Sequence, residues 1–209
     1  MVCRNEFLTI VVTGIPGVGK TTVLRHLASI AEREGLKVHI YNFGNFMFKE
    51  AKALGLVSHR DELRKLPLRV QLLLQEKAAK LLIEEASSRL TSDDILFIDT
   101  HAIILTPSGF WPGLPVHVVK VLCPDSIVVV ESPPEDIIKR QAKDVTRDRS
   151  DLGDIELVKL MLEYAKIAAF SSATAVGATV YIVQNIEGDP SIAAREILKL
   201  VEKLKGLKS

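Results

Sequence analysis

The sequence predicts a three-layer α/β fold, a five-stranded parallel sheet with helices on both faces. Three observations predict it. Strand-like and helix-like segments alternate along the chain, the pattern of parallel strands joined by helical crossovers. The strand interiors are near-continuous Ile/Val runs, such as Ile127-Val128-Val129-Val130, as expected of strands buried on both faces. A glycine-rich turn, Gly14-Ile15-Pro16-Gly17-Val18-Gly19-Lys20-Thr21-Thr22, separates the first strand from the first helix and fits G-x-x-x-x-G-K-[ST]. Its glycines let the backbone wrap a phosphate with N–H groups turned inward, and the following helix adds its positive end. Lys20 reaches the outer phosphates of a nucleoside triphosphate there, and the Thr21 hydroxyl is placed for Mg²⁺.

The elements follow in order. Phe7–Thr13 reads as a buried strand, and Val23–Glu34 as a helix with Val23, Leu24, Leu27, Ile30 and Ala31 on its inner face. Gly35 stops it, and 37–43 is the second strand. Gly44-Asn45 turns into a short helix, Phe46–Leu54, closed by Gly55. Pro67 starts a long helix to about Leu90, with Val70, Leu73, Leu74, Ala78, Leu81 and Leu82 inward. Ile95–Asp99 is the third strand. A Pro/Gly-rich stretch, 106–115, reads as a loop, Val116–Leu122 as a short helix and Ile127–Glu131 as the fourth strand. Helices at 134–143 and 155–172, a last strand at 179–183 and a closing helix at 191–205 complete the chain, with Asp189 and Pro190 starting the last.

Composition narrows the function. A chain of 209 residues suits one well-buried α/β domain over 1–209. A net charge of +1 supplies no basic field for nucleic acid, and no apolar run reaches membrane-spanning length. A cleaved leader would remove the first strand and is not expected. Cys3 and Cys123 are too few for a disulfide framework, so separate thiols in a reducing, cytoplasmic compartment are expected. Four Asn and four Gln hint at a thermophilic source.

Four clusters lie where parallel sheets bind ligands, beyond the carboxyl ends of the strands. Asp99 ends the third strand, as a carboxylate orienting Mg²⁺ through water or as the cap of a turn. His101 follows two residues later, as a substrate-site residue or a structural bond to a loop carbonyl. Arg60 and Arg64 share a face if their segment is helical, and read as a clamp on the phosphate of a second substrate or as a solvated surface paired with Asp61 and Glu62. Arg140, Arg147 and Arg149 follow the fourth strand, in a run from Glu135 to Asp154 with five Lys/Arg and six Asp/Glu. They read as lid cations around a phosphoryl transition state or as a solvated helix-turn-helix. Gln184-Asn185 ends the last strand, beside the expected position of the first nucleotide's base.

The chain resembles archaeal-type adenylate kinases, a branch of the nucleoside monophosphate kinases within the P-loop NTPases. The resemblance covers nearly the whole length. It rests on Gly14–Thr22, Arg60-Asp61-Glu62-Leu63-Arg64-Lys65, Asp99-Thr100-His101, Thr106-Pro107 with Pro112-Gly113-Leu114-Pro115, and Thr146-Arg147-Asp148-Arg149 with Gln184-Asn185. It implies ATP and AMP as substrates, two ADP as products, Mg²⁺ with ATP, an AMP-binding arm at about 44–69, a short lid at about 140–154, and a homotrimer. Arg60, Arg64, Arg147 and Arg149 match the family's arginine pairs. The arm departs from the bacterial pattern, with Phe46-Met47-Phe48 where an arginine stands, and the lid lacks four zinc-type ligands, so no structural zinc is expected. The alternatives are a kinase for another monophosphate or a small metabolite, and a P-loop ATPase switch.

Overall fold

The computed structural model describes residues 3–106, 108–143 and 154–206. Its centre is strand β1 (Leu8–Thr13), whose six residues are all buried. Strand β3 (Ile95–Asp99) pairs with it on one side and β6 (Ser126–Glu131) on the other; β2 (Val38–Asn42) and β7 (Thr179–Gln184) are the edges. The order is β2-β3-β1-β6-β7 and every pairing is parallel. Branched side chains on both faces of the central strands leave no polar face for water, so both faces must be covered.

Helices α1 (Lys20–Arg33) and α7 (Pro190–Gly206) cover one face, where Leu24, Leu27, Ile197 and Val201 pack with Ile10, Phe97 and Val128. Helices α3 (Leu68–Ser87) and α4 (Val116–Leu122) cover the other through Ala78, Leu82, Val118 and Leu122 against Val11, Leu96 and Ile98. Helix α6 (Ile155–Thr174) crosses between the two clusters: Met161 and Ala165 join the first, Ala169 and Ala173 the second. Helices α2 (Phe43–Ala53) and α5 (Pro134–Lys143) stand at the carboxyl edge of the sheet, directly after β2 and β6. Parallel pairing brings Thr13, Asn42, Asp99, Glu131 and Gln184 to that edge together.

Five expectations are corrected. Helix α2 starts at Phe43, three residues early, because the Asn42 side chain caps it by accepting from Asn45 N–H at 3.2 Å. Arg60–Lys65 is a 3₁₀ helix; at three residues per turn Arg60 and Arg64 point about 120° apart and share no face. Leu73 is 48% exposed, because α3 turns Leu74, Gln75, Ala78 and Ala79 inward instead. The stretch read as a loop carries strand β5 (Gly109–Pro112), which pairs antiparallel with β4 (Ile103–Thr106) just before it. Cys3 and Cys123 are not separate thiols but form a disulfide, Cα–Cα 5.2 Å across 120 residues. The segment before β1 runs past the end of α4, so two cysteines far apart in sequence meet; a single such staple also occurs in intracellular proteins of hyperthermophiles.

Candidate active site

The phosphate loop owes its course to glycine at two positions. A Cβ on Gly14 would lie 2.5 Å from the Val130 carbonyl oxygen of β6, so only glycine lets the chain leave β1 so close to its neighbour. Gly19 takes a left-handed conformation, φ 87 and ψ 21, immediately before α1. Ile15 and Val18 are anchors whose side chains are buried in the core, so they offer a ligand only backbone. Pro16 is half-buried, Thr22 donates its N–H to Gly19 O at 3.0 Å, and Thr21 stands exposed in the first turn of α1.

Lys20 is 7% exposed, and its Nζ donates to the Gly14 carbonyl at 3.1 Å. His101 Nδ1 lies 2.8 Å from the same oxygen. A carbonyl only accepts, so Nδ1 carries the proton and, in the neutral ring, Nε2 the lone pair. Lys20 and His101, 3.2 Å apart, therefore share one acceptor and do not bond each other. Asp99 Oδ1 lies 4.0 Å from Lys20 Nζ.

A polar chain leads from this carboxylate to the 3₁₀ helix. Asp99 Oδ2 accepts from Asn42 Nδ2 at 2.9 Å, and Asn42 Oδ1 accepts from Arg60 Nη2 at 2.9 Å. Arg60 Nη1 also donates to Asn45 Oδ1 at 2.6 Å. The 3₁₀ helix is pinned at its start by Glu62, whose carboxylate accepts from the N–H groups of Ser58 and His59. Those backbone bonds hold its acid below the usual range. Arg64 is exposed and takes no part in these hydrogen bonds.

On the opposite flank Arg140 Nη1 donates to Gly17 O at 3.3 Å and to Ser132 Oγ at 3.1 Å, and Arg140 pairs with Glu187. Asn185 is 3% exposed and donates from Nδ2 to Val18 O at 2.7 Å. Gln184 Nε2 donates to Glu131 Oε2 at 2.9 Å, and Glu131 pairs with Lys166 at 3.0 Å. The structure thus gathers Lys20, Asp99, His101, Arg60, Arg140, Gln184 and Asn185 at one edge. It turns Asn185 against the loop, not into an open base pocket. Arg147 and Arg149 lie outside the described residues, as does most of the predicted lid, 140–154.

Sequence reasoning passed over Asn42, Ser132 and Glu187. Asn42 and Ser132 carried the same signal as Asp99, a polar residue where a strand runs out at the ligand edge. Glu187 had no such signal, because its pairing with Arg140 spans 47 positions.

An all-parallel sheet with a Gly-Lys-Thr phosphate loop after its central strand, and cations converging on that loop, defines a P-loop kinase. A shikimate kinase from Acinetobacter baumannii, solved in complex with shikimate, matches with a TM-score of 0.54 at 16% identity, covering 94% of each chain. An unliganded sugar kinase from Janibacter sp. HTCC2649 matches at 0.53 and 17%, covering 94% of this chain and 95% of that one. Identities this low speak for the fold alone. Residues 13–158 match the AAA domain family. Adenylate kinase of Sulfurisphaera tokodaii is 47% identical over 188 residues, 90% of this chain and 96% of that protein. Adenylate kinase of Saccharolobus solfataricus is 46% identical over the same shares, and that of Pyrococcus furiosus 42% over 92% and 94%. The chain belongs to the adenylate kinase family.

Proposed function

We propose that the protein transfers the terminal phosphoryl group between Mg-ATP and AMP, reversibly, giving two ADP. The observation that carries this reading is the polar chain from Lys20 through Asp99 and Asn42 to Arg60. It joins a triphosphate loop to a second cationic centre at the same sheet edge, as a reaction between two phosphate-bearing substrates requires.

In this reading the loop residues 14–22 and Arg140 hold the ATP phosphates, with Lys20 on the outer pair, and Gln184-Asn185 borders the ATP base through its backbone. Arg60, Arg64 and His101 serve AMP. A phosphate dianion arriving at Arg60 exchanges the neutral amide oxygens of Asn42 and Asn45 for a full charge, a stronger charge-assisted bond. An oxygen of the AMP phosphate attacks in line, so no side chain is needed as nucleophile. The gain comes from holding both substrates and placing cations where charge spreads in the transition state. Arg147 and Arg149 stabilise the charge on the moving phosphoryl group.

The Thr21 hydroxyl and the Asp99 carboxylate are hard oxygen donors of the kind Mg²⁺ takes, directly and through water. Mg²⁺ bound there neutralises charge across the outer phosphates of ATP. Residues about 44–69 act as the AMP arm and about 140–154 as the lid of a single domain.

We place the protein in the cytoplasm; among the described residues no helix is long and apolar enough to cross a membrane. We assign it a homotrimer. Its support is an apolar face on α6, where Tyr164, Ile167 and Phe170 are 39%, 63% and 54% exposed and Phe110 meets Tyr164 edge-on at 4.9 Å between ring centres. Light scattering tests the trimer. A coupled assay across AMP, CMP, UMP, GMP and shikimate tests the reaction; AMP is expected to be the preferred acceptor, and preference for any other overturns the reading.

A further inference from the structure

Every carbonyl oxygen of the phosphate loop accepts a hydrogen bond. Gly14 O takes Lys20 and His101, Ile15 O the N–H of Val18, Gly17 O Arg140, Val18 O Asn185, and Gly19 O the N–H groups of Thr22 and Val23. The remaining carbonyl, Pro16 O, accepts from Gln141 Nε2 at 2.7 Å. With its carbonyls all occupied, the loop has only N–H groups left to present to an anion.

Gln141 is 8% exposed on the last turns of α5, and the loop is built against it. A Cβ on Gly17 would lie 3.0 Å from Gln141 Cγ and 3.2 Å from its Nε2. The amide has one orientation: turning it over would set its oxygen against the Pro16 oxygen, two acceptors face to face. In the orientation adopted, Oε1 is buried with no hydrogen-bond partner among the described residues. A buried amide that leaves half its polarity unmet is a poor choice for stability, where an apolar side chain of that size avoids the cost.

We infer that Gln141 is a positioning residue for phosphoryl transfer, holding the Pro16 carbonyl outward so that the loop keeps its N–H groups on the ATP phosphates. It touches no substrate and acts through the loop alone. The inference rests on the phosphate loop being the ATP site.

Gln141→Met keeps the length and removes the donor; Gln141→Glu keeps the shape and sets an acceptor against Pro16 O. Steady-state kinetics with ATP and AMP varied separately, and calorimetric titration with ATP, read the effect below each variant's melting midpoint. Met is expected to weaken ATP binding and raise KM for ATP roughly tenfold, and Glu roughly a hundredfold. KM for AMP should stay within about twofold, because nothing on the arm has moved. A merely structural role leaves KM for ATP unchanged in the Met variant, whichever way its melting point moves, and that result overturns the inference. Lys20→Ala measured alongside separates the two layers. If it leaves ATP binding and turnover intact, the loop is not the ATP site. If it abolishes turnover while both Gln141 variants bind ATP as the parent does, only the role of Gln141 falls.

Discussion

Lys20 is nearly buried; its ammonium donates to the Gly14 carbonyl and lies 4.0 Å from the Asp99 carboxylate. It is therefore a pre-placed cation whose geometry is set before substrate arrives. Lys20→Ala should lower kcat at least about a hundredfold, since a preorganised transition-state charge is worth about 3 kcal/mol. Lys20→Arg should fail as well, because a planar fork does not fit a position shaped for a compact ammonium. Arg60 and Arg64, paired in the sequence reading, separate in the structure. Arg60→Ala should raise KM for AMP roughly tenfold with a smaller change for ATP, as the loss of one charge-assisted bond predicts. Arg64 makes none of the contacts Arg60 makes, so Arg64→Ala should cost less than Arg60→Ala. Equal effects in AMP-dependent kinetics would restore the pair as a unit.

Among the elements, the turn into β3 has a dependence on acid that can be stated with its sign. Asp94 accepts from the N–H and hydroxyl of Thr91 and faces His39 Nε2 at 2.8 Å. The Thr91 bonds first, and then the His39 bond, draw its carboxyl down to about 2. A carboxyl lowered on folding contributes fully above its unfolded value, near 4, and loses that contribution as pH falls toward 2. The amount is about 2 kcal/mol at about 1.4 kcal/mol per pKa step. Denaturant unfolding from pH 5 to pH 2 should show this loss in the parent protein and a shallower slope in Asp94→Asn. The same scale shows what sequence could convey. Strand β3 was legible to the residue because four apolar residues end in a charge between two turns. The β4–β5 hairpin was not, because its proline and glycines signal a turn without signalling that the flanks pair. The inward face of α3 was misplaced at Leu73 because packing against α4 and the hairpin, where Gln75 reaches Pro112 O at 3.3 Å, outranks hydrophobicity in setting its rotation.

For the whole molecule, a ligand of two adenosines joined by five phosphates should span both sites at once. The second adenosine then binds intramolecularly, strengthening binding by roughly two to four orders of magnitude over ATP. Equal affinity for ATP and the joined ligand, by calorimetry, would remove the two-site reading. The Cys3–Cys123 bridge closes 120 residues, a span for which a disulfide adds roughly 2–5 kcal/mol. Reduction should lower the melting temperature and leave KM values unchanged, since the bridge lies at the end of the sheet opposite the phosphate loop. Its pairing was illegible in the sequence: counting cysteines says nothing of which strand ends the topology makes neighbours.

From Arg60 through Asn42 to Asp99 each donor meets an acceptor in one direction, with a single amide at the middle, and Lys20 faces the same carboxylate from the other side. An anion that draws Arg60 away withdraws a donor from Asn42 and alters how firmly its other end holds the carboxylate beside Lys20. The two nucleotides are then thermodynamically reciprocal: whatever factor a non-transferable ATP analogue imposes on AMP affinity, AMP must impose on the analogue. Asn42→Ala interrupts the conduit while leaving both charged ends in place. It should bring that factor toward one in titrations run in either order.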